Sequence, residues 1–335
     1  MCRFCRSKLQ VMGSTMRCKL RNRFWGALVI VSLFFAATLV SAQPFPSRPL
    51  RIVTSEVGSA GDLSARIMAP LMTISLGQPV IVDNRGFAAV EIVARAQPDG
   101  YSLAYYGAPL WLAAFLRNNV PYDPVRDFSP ISLTISSPLV LVVHPSLPVY
   151  SVKELIRLAK ANPGKLNSGS GLAGGSPHLA GALFKAMAGV DIVNVAYKGS
   201  GQSLTALLGN EVQIAFPAAA ALGSHAKSGR LRALAVTTAQ PSELLPGLPS
   251  IATAGLPGYE AASLYGIFAP AKTPEKIIER LNREVVKTLS EQDVREKLKN
   301  AGVEVVASSP QILLSTISAE MNRMGSVIRS AGIRQ

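Results

Sequence analysis

Four stretches of this sequence gather small, polar and glycine residues where a backbone can meet a ligand. They are Thr54-Ser55-Glu56-Val57-Gly58-Ser59-Ala60-Gly61-Asp62, Gly107-Ala108-Pro109, the run from Ser168 through Gly174-Gly175-Ser176-Pro177 to His178, and Phe216-Pro217-Ala218. The third is the richest. Ser176 reads as a helix N-cap and Pro177 as the first helical residue, with the helix running to Met187 and Gly189 beyond its end. Unpaired N–H groups at such a start, beside glycines that let a ligand approach the backbone, suit an anion. The competing reading is a solvent loop whose glycines only turn the chain. Hydrogen bonds to a charged group contribute about 1.5–3 kcal/mol each. Three or four of them would supply the roughly 8 kcal/mol of a micromolar ligand, before ordering costs.

Other chemistries find less support. Gly169-x-Gly171-x-x-Gly174 matches the dinucleotide fingerprint, but the strand ahead of it is short and polar. The nearby acid, Asp191, precedes the next strand instead of ending it, so the ribose partner is missing. There is no G-x-S-x-G elbow. His144, His178 and His225 lack metal-ligand spacing. Asp62 has two readings, a general base or, more simply, the N-cap of its helix. His178 either packs and holds its loop or meets a ligand. Lys198 could meet an anion, but a lone lysine usually carries a solvated charge. Without a nucleophile, an acid–base pair or a metal site, the residues describe a binding protein that needs no cofactor, not an enzyme.

The elements that position these loops alternate. Leu50–Thr54 reads as a strand. Asp62–Leu76 reads as a helix, with Leu63, Ile67 and Leu71 on one face and Gly77 as its stop. Strands follow at 80–82, 101–106, 139–143, 192–195, 212–216, 231–236, 264–268 and 303–306, with helices between most of them. Ser151 and Glu154 form a capping box. Thr273-Pro274 and Ser309-Pro310 each read as an N-cap followed by an N1 proline. Such alternation predicts an α/β fold with mainly parallel sheets, whose ligands collect beyond the carboxyl ends of the strands.

The chain opens with seven basic and no acidic residues in positions 1–23, then an apolar run from Trp25 to Val40 and the small residues Ser41-Ala42. These are the parts of a secretory signal, expected to be cleaved after Ala42. The apolar run is shorter than the ~20 residues of a spanning helix. Translation from Met12 or Met16 would give the leader a more usual length. Cys2, Cys5 and Cys18 all leave with it, and the net charge falls from +14 to +7 because seven of the 34 Lys and Arg leave too. The remaining basic residues are scattered among carboxylates with few aromatics near them, which argues against nucleic-acid binding. The remainder is long enough for a substantial core and about two domains.

Five blocks carry a family resemblance: Tyr122-Asp123-Pro124-Val125-Arg126-Asp127-Phe128, Gly174 through Leu179, Tyr197-Lys198-Gly199-Ser200-Gly201, Gly229 through Thr237, and Gly255-Leu256-Pro257-Gly258-Tyr259-Glu260. Over the whole mature chain the sequence resembles the extracytoplasmic solute receptors of tripartite tricarboxylate transporters, the Bug receptor family. The resemblance implies a type II periplasmic-binding fold, with lobe 1 formed by 43–142 plus 266–335 and lobe 2 by 143–265. It further implies a monomer in the periplasm that captures a small organic acid and delivers it to membrane permease subunits. The alternative is a sensor module serving a signalling partner. Ligand contact is carried over to Gly58, Asp62, Ser176 and His178, and the strand-end loops add Ser55, Ser59, Ala108, Gly174, Gly175, Phe216 and Pro217.

The chain departs from the family pattern in four places. Thr54-Ser55 stands where relatives commonly read Pro-Phe, Ser59 replaces a glycine, the loop after Asn84-Arg85 is shortened to Gly86-Phe87-Ala88-Ala89, and Pro217 stands where many have Asp. Without that acid, Glu56 and Asp62 remain as acceptors for an ammonium, with Asp62 occupied if it caps its helix, and plain carboxylic acids, apolar or aromatic ones among them, are expected to bind in preference to aspartate or glutamate.

Overall fold

The computed structural model describes residues 45–333 except Glu56, Gly58, Leu172 and Ala173. The leader and its expected cleavage site lie outside the described residues. From Arg48 onward strands and helices alternate: β1 (Leu50–Thr54), α1 (Ala60–Leu76), β2 (Val80–Asn84), α2 (Ala88–Ala94), β3 (Ser102–Gly107), α3 (Ala108–Leu116), β4 (Phe128–Pro138) and β5 (Val140–Val143). Next come α4 (Val152–Ala161), β6 (Asn167–Ser170), α5 (Ser176–Ala188), β7 (Val193–Ala196), α6 (Ser200–Leu208), β8 (Ile214–Ala215), α7 (Ala219–Lys227), β9 (Arg232–Val236) and α8 (Ile251–Ala254). β10 (Ala262–Pro270), α9 (Glu275–Ser290), α10 (Gln292–Asn300), β11 (Glu304–Val305) and α11 (Pro310–Ser330) complete the order.

Two sheets result. The first runs β11-β4-β10-β3-β1-β2 and the second β7-β6-β8-β5-β9. Each has a parallel part, β3-β1-β2 and β7-β6-β8. Each also has antiparallel strands, so the expectation of mainly parallel sheets is corrected. β10 runs against both β3 and β4, β11 against β4, and β5 against both β8 and β9. The direction reverses because the chain changes sheet. β4 hands over to β5 at Leu139, and β10 returns from the second sheet to insert between β3 and β4. The Leu139 N–H donates to Thr237 Oγ1 (3.1 Å), the Thr237 N–H donates to Leu139 O (2.9 Å), and the Ala261 N–H donates to Thr237 O (2.8 Å). The two changeover points are thereby tied side by side.

β4 is a strand that apolar periodicity misses. It carries prolines and serines, and its buried hydroxyls are satisfied: Ser132 Oγ donates to Ser308 O (2.8 Å) and Thr134 Oγ1 to Tyr265 O (2.8 Å). A buried hydroxyl with a partner avoids the desolvation cost that normally keeps it outside. In α1 the buried face is Asp62, Ala65, Met68, Ala69, Met72 and Leu76, while Leu63 is exposed, so the expected 63-67-71 stripe is not the packed one. Small Ala65 and Ala69 let the helix approach β1, whose Leu50, Ile52 and Val53 are fully buried. The Ser151 cap forms as expected, but the Glu154 carboxylate reaches the N–H of Tyr150 (2.6 Å). Ser309 caps α11 as expected. At α9 the cap residue is Pro274, one position later than expected, and Thr273 Oγ1 donates to Pro270 O (2.8 Å). Among the described residues no helix is long and apolar enough to cross a membrane.

Candidate functional site

Register sets the first group of candidate residues. Thr54 pairs with Asn84 on one side and Tyr105 on the other, so β1 and β2 end level and β3 runs two residues further. Ser59 is the N-cap of α1: its backbone is extended (φ −69°, ψ 161°) and its Oγ accepts from the Asp62 N–H (3.1 Å). This corrects the simpler reading of Asp62 as the cap. Asp62 lies three residues further on and is only 3% exposed. Its Oδ1 accepts from Arg66 Nε (2.8 Å) and Asn84 Nδ2 (2.9 Å). Asn84 Nδ2 also donates to Ser55 O (2.9 Å), and Asn84 Oδ1 accepts from Arg66 (2.7 Å). The Ser55 and Ser59 hydroxyls lie 2.7 Å apart. A Cβ at Gly61 would sit 3.0 Å from the Tyr265 ring and 3.1 Å from Thr54 Oγ1, so α1 approaches the sheet this closely only through glycine. Gly58 lies outside the described residues.

The second group stands on the second sheet. Ser170 pairs with Ala196 and Gly169 with Ala215, so β6 and β7 end level and β8 ends one residue short of them. Gly174 has φ 75°, a left-handed conformation that suits glycine. Its N–H donates to His178 Nδ1 (3.0 Å). The cap of α5 is Gly175 (φ −70°, ψ 159°), with Ser176 the first helical residue and Pro177 the second, one position earlier than expected. The proline is tolerated there because the first-turn N–H groups have no intrahelical acceptor. No side-chain oxygen caps α5, and none caps α6 at Gly199. A Cβ at Gly171 would meet Ser200 N and Oγ at 3.2 Å, which places the start of α6 directly against the β6 loop. The two helix starts border a small cavity of about 10 Å³, room for about one water molecule, lined by Gly169, Gly171, Pro177, Ser200, Ser203 and Pro217 among others. Burial, reinforced by Lys185, holds the His178 imidazole below its usual range and favours the neutral ring.

The other candidates are placed differently. Gly107-Ala108-Pro109 is not a loop: β3 runs to Gly107, and α3 starts at the buried Ala108. Phe216 is a core residue, packed on Phe184 with ring centroids 5.9 Å apart, that also lines the small cavity at the α5 and α6 starts. Pro217 lines the small cavity at the α5 and α6 starts, and its carbonyl accepts from the Val140 N–H (2.9 Å). Asn84, Arg66, Ser200 and Tyr265 were not among the expected site residues. Asn84 was findable as the end of the strand beside β1, and Ser200 as the first residue after a glycine cap. A larger cavity of about 540 Å³ lies elsewhere, between residues 241–244 and the exposed polar face of α10, and none of the candidate residues lines it. Among the described residues no cluster of His, Cys, Asp or Glu is placed to hold a metal ion.

Two α/β sheets joined by crossing strands, each presenting small-residue loops ahead of helices, make up a two-lobed periplasmic binding fold. The chain belongs to the Bug receptor family: the family described as "Tripartite tricarboxylate transporter family receptor" matches residues 64–333. The chain is similar to BugT of Bordetella pertussis, with 34% identity over 318 residues, 92% of this chain and 98% of that protein. Among solved structures it is similar to R. palustris Rpa4515 with adipate, at 35% identity and TM-score 0.72 over 87% of this chain and 100% of that one. It is also similar to Rhodopseudomonas palustris MatC with bound malate, at 27% identity and TM-score 0.69 over 85% of this chain and 100% of that one.

Proposed function

We propose that this chain is an exported receptor that captures a small organic acid between two lobes and hands it to the membrane permease of a tripartite tricarboxylate transporter. The lobes of this reading are 43–142 plus 266–335 and 143–265. The sheet changes at Leu139 and ahead of Ala262 support that division to within a few residues. One observation carries the ligand class. The α5 and α6 starts, both capped by glycine and neither satisfied by a side chain, border one small cavity whose lining includes no carboxylate. Free N–H groups and the positive ends of two helices favour an anion there. The adipate and malate bound by the two solved relatives are of that class.

The same cavity disfavours an amino acid. A buried ammonium without an acidic partner costs several kcal/mol, enough to cancel micromolar binding. Of the two expected acceptors, Glu56 lies outside the described residues, and Asp62 Oδ1 already accepts from Arg66 and Asn84. The receptor therefore prefers plain carboxylic acids to aspartate or glutamate. Titration calorimetry with glutamate and with glutarate, its deaminated analogue, tests this. Glutarate binds better in this reading; micromolar binding of glutamate with none of glutarate overturns it.

A further inference from the structure

In each sheet the strands that cross between the lobes separate two kinds of strand. In the first sheet β4 and β10 stand between β3-β1-β2, which lead into the Ser59 and Asn84 group, and the edge strand β11. In the second, β5 stands between β7-β6-β8, which lead toward the α5 and α6 starts, and the edge strand β9. β11 and the loop after β9 meet on the side away from the ligand loops. Ser242 Oγ donates to the Glu304 carboxylate and accepts the Leu244 N–H (3.1 Å). The turn ahead of β11 is pressed against α7: a Cβ at Gly302 would lie 2.4 Å from Ala220 Cβ and 2.9 Å from its Cα. The Ser137 hydroxyl of β4 donates to Gly302 O (3.4 Å), so this turn moves with the first sheet. Beside the meeting point lies the 540 Å³ cavity, bordered by Glu243 and Leu244 on one side and Arg295 and Lys299 on the other. The two lobes therefore touch here at one place next to open space, and a hydroxyl and a carboxylate that part there can exchange each other for water.

From this we infer that the Ser242–Glu304 contact, with Gly302 seated on Ala220, is a back-stop that holds the ligand cleft open. This rests on the two-lobe reading above. The crossing strands are the pivot, because they alone run through both lobes. A rotation that brings the ligand loops together on one side of the pivot spreads β11 and the 241–244 loop on the other. The contact can form only while the cleft is open and must break for it to close, and the cavity beside it gives the parting surfaces room. A ligand that needs the closed state then binds with an apparent dissociation constant raised in proportion to the scarcity of that state. The back-stop thus trades affinity for ready release. Gly302 is needed for the fit, since its φ of 73° and the approach to Ala220 both exclude a side chain.

The test reads the interlobe distance without ligand. Spin labels are attached at Ile81→Cys on β2 and Val193→Cys on β7, both exposed and both on the outermost strands of the ligand side. The full chain is expressed with Cys2→Ser, Cys5→Ser and Cys18→Ser, so that only the two introduced cysteines take a label. Double electron–electron resonance then compares the parent with Ser242→Ala, Glu304→Ala, Ser242→Thr and Gly302→Ala. Loss of either polar partner shifts the ligand-free distribution to shorter distances. Ser242→Thr keeps the hydroxyl and stays with the parent, which a general loosening of the fold would not produce. Gly302→Ala wedges the far side apart and shortens the distance too; should it fail to fold, the two polar variants decide. Distances unchanged or longer in both Ser242→Ala and Glu304→Ala overturn the back-stop. Calorimetry with adipate separates the two readings. Where the parent binds adipate, the polar variants bind it about threefold more tightly or better, and equal or weaker binding overturns the back-stop while the receptor reading stands. Where the distances shorten and no protein binds adipate, the back-stop stands and adipate is removed from the ligands of the cleft.

Discussion

His178 Nδ1 accepts the backbone N–H of Gly174 at 3.0 Å, so the imidazole holds the loop that leads into α5. This assigns the ring proton to Nε2 in the neutral form, because a protonated Nδ1 has no lone pair to offer. A protonated ring would set two donors against each other.

The first prediction follows from the sign of that shift. Burial first, and Lys185 second, lower the folded-state pKa of His178 below the ordinary value of about 6.5. The stabilisation is therefore present above about pH 6.5 and is lost as pH falls through the lower folded value. Acid affinity is expected to be flat near neutral pH and to weaken on acidification toward about pH 5. His178→Asn, whose Oδ1 can accept the same N–H, should lack this step. Calorimetry across that range checks it. Tighter binding at low pH would instead place an imidazolium against the ligand.

Gly174 carries a backbone demand of its own. Its φ of 75° costs a residue with a Cβ about 1–2 kcal/mol. Gly174→Ala is expected to weaken acid binding by roughly tenfold, as about 1.4 kcal/mol requires, while lowering the melting temperature only slightly. Calorimetry and a thermal melt on the same sample check it, and unchanged affinity would remove this loop from the site.

Asp62 is predicted to act as an organiser and not as a direct ligand contact. Asp62→Ala strips acceptors from Asn84 Nδ2 and Arg66 Nε. Arg66 is half exposed and regains water, so the loss is about 1–3 kcal/mol and falls mainly on Asn84. The urea midpoint should drop accordingly, with affinity falling alongside it. Asp62→Asn keeps an oxygen acceptor and should recover most of both.

What the sequence made legible follows from where apolar residues mark structure. The strand before the first loop, the Gly77 stop of α1 and the caps at Ser151 and Ser309 could all be read from it. β4 could not, because Ser132 and Thr134 are buried with partners at Ser308 and Tyr265, more than 100 residues away. The antiparallel returns of β5 and β10 were hidden for the same reason, since no local signal announces that a strand changes sheet. At the site, the third loop and His178 were legible from their glycines and proline. The cap falls one residue early because Gly175, not Ser176, takes the extended backbone. Asn84 was missed because its importance comes from pairing beside Thr54, a relationship between strands.

The placement of β10 sets the order in which the molecule can assemble as it emerges N-terminus first. All five strands of the second sheet lie within Val140–Val236, a single continuous stretch. The first sheet has β10 in its interior, between β4 and β3, so its two halves cannot join until Ala262–Pro270 arrives. Contacts distant in sequence form late because a long loop must first close. The last quarter of the chain acts as the closing piece for a sheet begun by β1 to β4, between Leu50 and Pro138. Until it arrives, β3 and β4 present unpaired edges, a state exposed to aggregation.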